Sequence, residues 1–460
     1  MSRRRAPTYA WTALEAVADG WGDGESQKPI RVALGLVRPF AEVYECSGNF
    51  IESSMMPDHP RFGSAVIAEH IPLIVFSHLR WNFVFQRPQH LMTRMASSRS
   101  VFFVEEPVFD AGAPFLETRQ VQPGLHVITP HTPIAAAGFH DDQVGLLTVL
   151  LREEWAARRI AECCAWFYTP MALPLLGSAE GKVKAVIYDC MDELSAFSKA
   201  PAQLKQREQA LLRASDVVFT GGPSLYAAKR TQHHGVHCFP SAVDQAHFAA
   251  AAHGCDAHPA LSSLARPRLG FFGVIDERCD IDLLAHIARA RPDWQLCMVG
   301  PVVKIDPLSL PRGPNIHYYG QRSYGELPSF VAGWDVCLLP FALNEATRYI
   351  SPTKTLEYMA AEQPIVSTPV VDVADLYSDV VHIAGSAEEF VQACERALAE
   401  TPAQSDARRS AMRALVSRTS WDKTAASMAG LIDDVVAGQR RRVAPAAERY
   451  EGSLASAAGA

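Results

Sequence analysis

The sequence predicts an α/β protein with two tandem doubly wound domains facing each other across a cleft. Three observations predict it. At 460 residues the chain exceeds the size at which a single hydrophobic core keeps growing. From Pro72 onward, short apolar runs alternate with segments long enough for helices, the pattern of parallel strands buried on both faces. That rhythm fades after about residue 249 and starts again at Arg268.

Residues 1–70 read as an N-terminal extension in which only Arg31–Val37 suggests a strand. Residues 71–248 form the first domain. Its strands are expected at Pro72–Ser77, Val101–Val104, Leu125–Thr129, Ala165–Tyr168, Ala185–Tyr188, Val217–Thr220 and Val236–Phe239. Helices fit Phe85–Ala96, Asp142–Cys163, Pro201–Ala214 and Pro223–Gln232. The joint at 249–266 is rich in Ala, His and Pro and has no periodicity, as a linker should. In the second domain, 267–418, strands are expected at Arg268–Gly273, Trp294–Val299, Ile316–Tyr319, Val336–Pro340, Ile365–Thr368 and Val380–Ile383. Its helices fit Ile281–Ala290, Tyr324–Ala332, Thr353–Glu362 and Ala387–Glu400. A last helix, within 419–437, precedes an Ala/Arg/Gly tail at 438–460 whose composition predicts disorder.

Composition narrows the function. Apolar residues at 48% and charged residues at 20% describe a soluble globular protein. A net charge of −7 argues against nucleic-acid partners, which call for a basic excess. The ten cysteines include no CxxC pair, and the adjacent Cys163 and Cys164 lack zinc-finger spacing. Cys190, Cys238, Cys297 and Cys337 sit in or beside strand-like runs and read as buried free thiols of a reducing cytosol. No apolar run reaches the roughly 18–20 residues of a membrane span, and no apolar signal segment follows the basic start. The expected location is cytoplasmic, with room for peripheral contact with the inner membrane face.

The most informative stretch runs from Asn344 to Thr368. Ser351 reads as an N-cap and Pro352 as the first helical residue. Thr353, Lys354 and Thr355 then fill a first turn whose free N–H groups and dipole attract anions. Glu357, three residues beyond Lys354, shares its face. A phosphate at the helix mouth, with hydroxyl groups beside it, suits that pair. A solvated surface pair is the plainer alternative; the Ser-Pro start and the apolar Pro364-Ile365-Val366 argue for the site.

Ligands in open parallel sheets bind beyond the carboxyl ends of strands, so residues just after strands are the other candidates. His78, Arg80, Gln86 and Arg87 follow the first strand; Arg80, Gln86 and Arg87 could form an acceptor or phosphate loop. His78 reads as a base or as a structural histidine. After Tyr188 come Asp189, Asp192 and Glu193, where mutual repulsion should raise one carboxyl and fit it for general base work. Asp192 is favoured over Glu193, with N-capping as its plain alternative. In the second domain Gly273 would admit a phosphate close to backbone. Arg278 would pair with that phosphate unless Asp276 and Glu277 neutralise it, and Arg348 is a further phosphate candidate.

These motifs resemble those of the GT-B-fold glycosyltransferases whose C-terminal domain is of the "glycosyl transferases group 1" kind. Ser351–Ala360 resembles that group's donor helix, Phe239–Phe248 its interdomain segment, and Ser420-Trp421-Asp422 the start of its final helix. The resemblance spans about 70–437. It implies a GT-B fold of two Rossmann-like domains, with Lys354 on the donor diphosphate and Glu357 on the ribose hydroxyls. It also implies transfer of a sugar from a UDP- or GDP-linked donor to a saccharide or lipid-linked acceptor in cell-surface polysaccharide synthesis, with no metal or further cofactor required. Retaining members carry two Glu separated by seven residues; the first of those positions is Tyr349 here. An inverting reaction would instead require Asp192 or Glu193 as base. A nucleotide-sugar epimerase and a non-catalytic sugar-nucleotide-binding protein stay open as alternatives.

Overall fold

Two parallel sheets carry the molecule. The computed structural model describes residues 70–438, all within one compact unit. The expected N-terminal extension with its Arg31–Val37 strand, and the tail beyond 438, lie outside the described residues.

The first sheet has nine strands: β1 (Leu73–Ser77), β2 (Val101–Glu105), β3 (Val108–Phe109), β4 (Phe115–Gln122), β5 (Leu125–Thr132), β6 (Cys163–Phe167), β7 (Val183–Cys190), β8 (Val217–Thr220) and β9 (Val236–Cys238). Their order is β3-β5-β2-β1-β6-β7-β8-β9, and every pairing is parallel except that of β4, which runs antiparallel along β5. The apolar runs of β1, β2 and β6 are buried along their whole length, as strands covered on both faces must be. β4 was not expected. Its sequence, FLETRQVQ, is mostly exposed, so it lacks the apolar run that marks the others.

The second sheet comprises β10 (Arg268–Phe272), β11 (Gln295–Val299), β12 (Ile316–Tyr318), β13 (Val336–Leu339), β14 (Ile365–Ser367) and β15 (His382–Ile383). Its order is β12-β11-β10-β13-β14-β15, all parallel. The order reverses between β10 and β13, the switch point at which such sheets bind ligands. The helix Pro402–Val416 went unexpected because only Met412 and Val416 of its face are buried. Its capping box, Thr401 with Gln404, was the available signal.

Both sheets are sandwiched by apolar side chains on each face. The last helix, running through 421–438, inserts Trp421, Met428 and Ile432 into the first sheet's face. Of the expected buried thiols, Cys190, Cys297 and Cys337 are buried and Cys238 is half-buried; the nine described cysteines are all free. Among the described residues no helix is long and apolar enough to cross a membrane.

Candidate active site

The loops after β10 and β13 converge at the switch point of the second sheet. The helix Thr353–Ala360 starts there, with Pro352 as its N-cap and no side-chain cap hydrogen bond. Ser351 is therefore not the cap. Pro352 holds extended backbone, which moves the helix start one residue on. Ser351 instead packs against Gly222 of the first domain, beside Asp372. Asp372 in turn accepts from the Ser224 backbone N–H at 3.1 Å. Thr353 donates to Ser241 at 3.2 Å, another link between the domains. The Thr355 hydroxyl is buried with no partner among the described residues.

Lys354 runs from this helix across the end of β10. A methyl group on Gly273 (φ +139°) would lie 2.6 Å from its Nζ, so the bare glycine is what lets the lysine through. Burial pulls the Lys354 ammonium below the usual lysine range, against the pull of Glu357. Burial also pushes Glu357 up to about 7, with Lys354 opposing. Burial thus disfavours the charged form of both groups, a desolvation cost that their mutual attraction only partly offsets. An anion arriving at Lys354 supplies the missing counter-charge. Gly273→Ala is expected to weaken nucleotide-sugar binding roughly 10-fold or more by displacing Lys354, the left-handed backbone adding strain. Titration calorimetry with UDP-glucose checks it, and an unchanged Kd would contradict it.

Two further cations join Lys354. Arg278 is held bidentately by Asp276, at 3.0 and 2.8 Å, so Asp276 does neutralise part of its charge. Glu277 adds to this without a hydrogen bond to the arginine; its carboxylate accepts from the Ser198 backbone N–H and hydroxyl, at 2.9 and 2.6 Å. Lys304, missed in the sequence, enters from the segment after β11, its ammonium 4.8 Å from the Phe197 ring centroid. Arg278 sits 5.3 Å from the same ring. The signal for Lys304 was a lone lysine shortly after the strand-ending Val299-Gly300.

From the first domain, Asp192 faces this cluster. Its carboxyl is raised by burial first, with Arg278, Lys304 and Lys354 opposing and Asp276 adding. The cause is thus burial rather than repulsion within the 189–193 run. Glu193 has other work: Lys229 holds it at 2.7 Å and Ser195 donates to it at 2.7 Å. Asp189 is fully buried against Arg87, at 2.9 Å.

The remaining candidates separate. Arg87, 3% exposed, also donates to the Phe239 carbonyl at 2.8 Å and has no head group to offer a ligand. Gln86 caps the helix Arg87–Met95. Arg80 pairs with Glu105 at 3.1 Å and donates to the Pro107 carbonyl. Buried charge at strand ends needs such partners, and this loop has them. Arg348 is exposed and pairs loosely with Glu345, 3.8 Å away. Tyr349, at the position where the resemblance places a glutamate, packs against the first domain's core. Burial lowers His78 to about 4, and its Nδ1 has no partner among the described residues.

A cluster of cations facing a carboxylate across a cleft stabilises negative charge that develops there. Residues 266–400 match the family described as "Glycosyl transferases group 1". A Bacillus subtilis (strain 168) protein, named as a proposed teichuronic acid biosynthesis glycosyltransferase, TuaH, is 27% identical over 276 residues, covering 55% of this chain and 68% of that protein. Sucrose-phosphate synthase from Thermosynechococcus elongatus has a similar structure, with a TM-score of 0.61 at 16% identity, over 80% of this chain and 100% of that one. So does a UDP-forming alpha,alpha-trehalose-phosphate synthase from Burkholderia xenovorans in complex with glucose-6-phosphate. Its TM-score is 0.60 at 11% identity, over 79% of this chain and 100% of that one. The chain has the GT-B fold, and its residues 266–400 are similar to the glycosyl transferases group 1.

Proposed function

We propose that the enzyme transfers a sugar from a nucleotide-diphosphate sugar to a saccharide or lipid-linked saccharide, in the synthesis of a cell-surface polysaccharide. The observation that carries this is the convergence of Lys354, Arg278 and Lys304 on Asp192, with Glu357 beside Lys354. The bond from the anomeric carbon to the diphosphate breaks, and its electron pair goes to the departing phosphate oxygen. The three cations meet that charge without reorganising, usually the largest catalytic term. Glu357 accepts hydrogen bonds from the ribose hydroxyls. The acceptor's proton passes to the leaving phosphate if configuration is retained, and to Asp192 if it is inverted.

The polysaccharide assignment is supported by the relative named for teichuronic acid synthesis, and a uridine donor by the UDP-forming neighbour. We place the reaction in the cytoplasm, at or near the inner membrane face. Nucleotide release from UDP-, GDP- and TDP-sugars, measured with and without saccharide acceptors, tests the reading. Acceptor-dependent release from one of them is expected. Donor consumption that ignores every acceptor would count against transfer.

The site also sets a pH dependence. Glu357 ionises near 7, and only its carboxylate accepts hydrogen bonds through both oxygens. UDP-glucose, whose bridged diphosphate keeps its charge, should therefore bind more tightly as pH rises from 6 to 8. Glu357→Gln should flatten that limb. A wild-type Kd that does not change over this interval would refute the assignment.

A further inference from the structure

The turn that ends β7 continues into residues 191–200, which reach the second domain before the helix Leu204–Ala214 begins. Two anchors fix this segment. At its inner end Lys229, 2% exposed, holds Glu193 at 2.7 Å and also takes Glu208 at 2.7 Å. At its outer end the second domain takes hold. The buried Phe197 ring lies under both Arg278 and Lys304, 5.3 and 4.8 Å from its centroid. Glu277 accepts from the Ser198 N–H and hydroxyl, at 2.9 and 2.6 Å. The next residue, Lys199, has a left-handed backbone (φ +64°), a strain that persists only where surrounding contacts impose it. On the other side Leu194 and Lys199 line a first-domain cavity of about 610 Å³, together with His78 and Glu106. Packing therefore does not hold the segment from that side. Asp192 lies between the cavity-lining stretch and the end of β7, beside the Glu193 anchor.

We propose that residues 191–200 are an interdomain strap, and that Phe197 and Ser198 are positioning residues that set where Asp192 stands relative to the second-domain cations. The inference rests on the glycosyltransferase reading. The groups that grip the strap are those that would meet the diphosphate, or their immediate neighbour: Arg278 and Lys304 lie over Phe197, and Glu277 holds Ser198. An aromatic face attracts a cation without neutralising it. Arg278 and Lys304 can thus seat the strap and still offer their charge to an anion, which a carboxylate in the place of Phe197 would not allow. The Glu277 contact adds two charge-assisted hydrogen bonds, stronger than neutral ones. The Asp192 carboxyl feels Arg278, Lys304 and Lys354, and that field depends on the strap being seated. With the outer anchor released, the inner one still ties Glu193 to the first domain. Asp192 then follows the first domain rather than the cations.

Turnover of UDP-, GDP- and TDP-sugars with saccharide acceptors, and hydrogen exchange of residues 191–200, test this on Ser198→Ala, Phe197→Leu and Phe197→Tyr. Each variant is also made in an Asp192→Ala background. Ser198→Ala should lower kcat by roughly 10-fold, the loss of one charge-assisted hydrogen bond, while KM for the sugar nucleotide stays within about two-fold. Phe197→Leu should lower kcat by about 5-fold, and Phe197→Tyr, which keeps the ring face, should retain most of it. In the Asp192→Ala background Ser198→Ala should cost nothing further, because its effect runs through that carboxylate. Amides of the strap should exchange about 10-fold faster in Ser198→Ala than in the wild type. An equal loss of turnover in both backgrounds, the mark of a merely structural role, overturns the inference. So does a rise in KM at constant kcat, or unchanged exchange in Ser198→Ala. These three outcomes leave the glycosyltransferase reading in place. A wild type that turns over none of these sugar nucleotides strikes that reading itself, and the inference with it.

Discussion

Lys354→Ala lowers kcat/KM by roughly 100- to 1,000-fold, about 3–4 kcal/mol of transition-state stabilisation. The effect is large because the lysine is half-buried and because Gly273 keeps its path clear. In such a site a charge that meets the leaving diphosphate is screened far less than on the surface. The change also strips Glu357 of the cation that opposes its burial. Its carboxyl then shifts further up, and ribose recognition suffers with the diphosphate contact. Turnover and UDP-glucose affinity should therefore fall together. A folded variant, judged by an unchanged melting temperature, that keeps turnover within a few-fold would dismiss Lys354 as the donor contact.

Asp189→Ala destabilises the first domain by about 3–5 kcal/mol, the cost of leaving a buried charge without its partner. Arg87 makes three contacts to the Asp189 carboxylate, between 2.9 and 3.1 Å, and both side chains are almost sealed from water. Removing one side strands the other. The double change Arg87→Met with Asp189→Leu removes both charges and should restore much of the loss, since apolar replacement of a buried pair is often near neutral. Urea unfolding of the single and double variants measures this. A single-variant loss under about 1 kcal/mol would show that water reaches the arginine and that the pair is not the brace described.

The second-domain part of the candidate site was legible because its determinants are local. Lys354 and Glu357 lie on one helical turn, Gly273 ends a strand, and Pro352 marks a helix start within one residue. The first-domain part was not. Arg87 looked like a phosphate ligand until Asp189, more than a hundred positions away, was found to hold it. Glu193 stayed a second candidate beside Asp192, and the structure gives it to Lys229. Glu106 carried no signal beside Glu105, because nothing in Glu-Glu-Pro says which carboxylate pairs with Arg80 and which faces a cavity.

The sequence by itself determined the two doubly wound domains, the order of most strands and helices, and the placing of Lys354 and Glu357 on one helical turn. Apolar periodicity, glycine placement and helix-start chemistry act over a few residues and survive in the linear text. Only the tertiary structure decided which charges are spent on each other and which remain for a substrate. That choice depends on burial and on partners brought together from distant loops, since desolvation and pairing, rather than residue type, set the protonation and availability of each group.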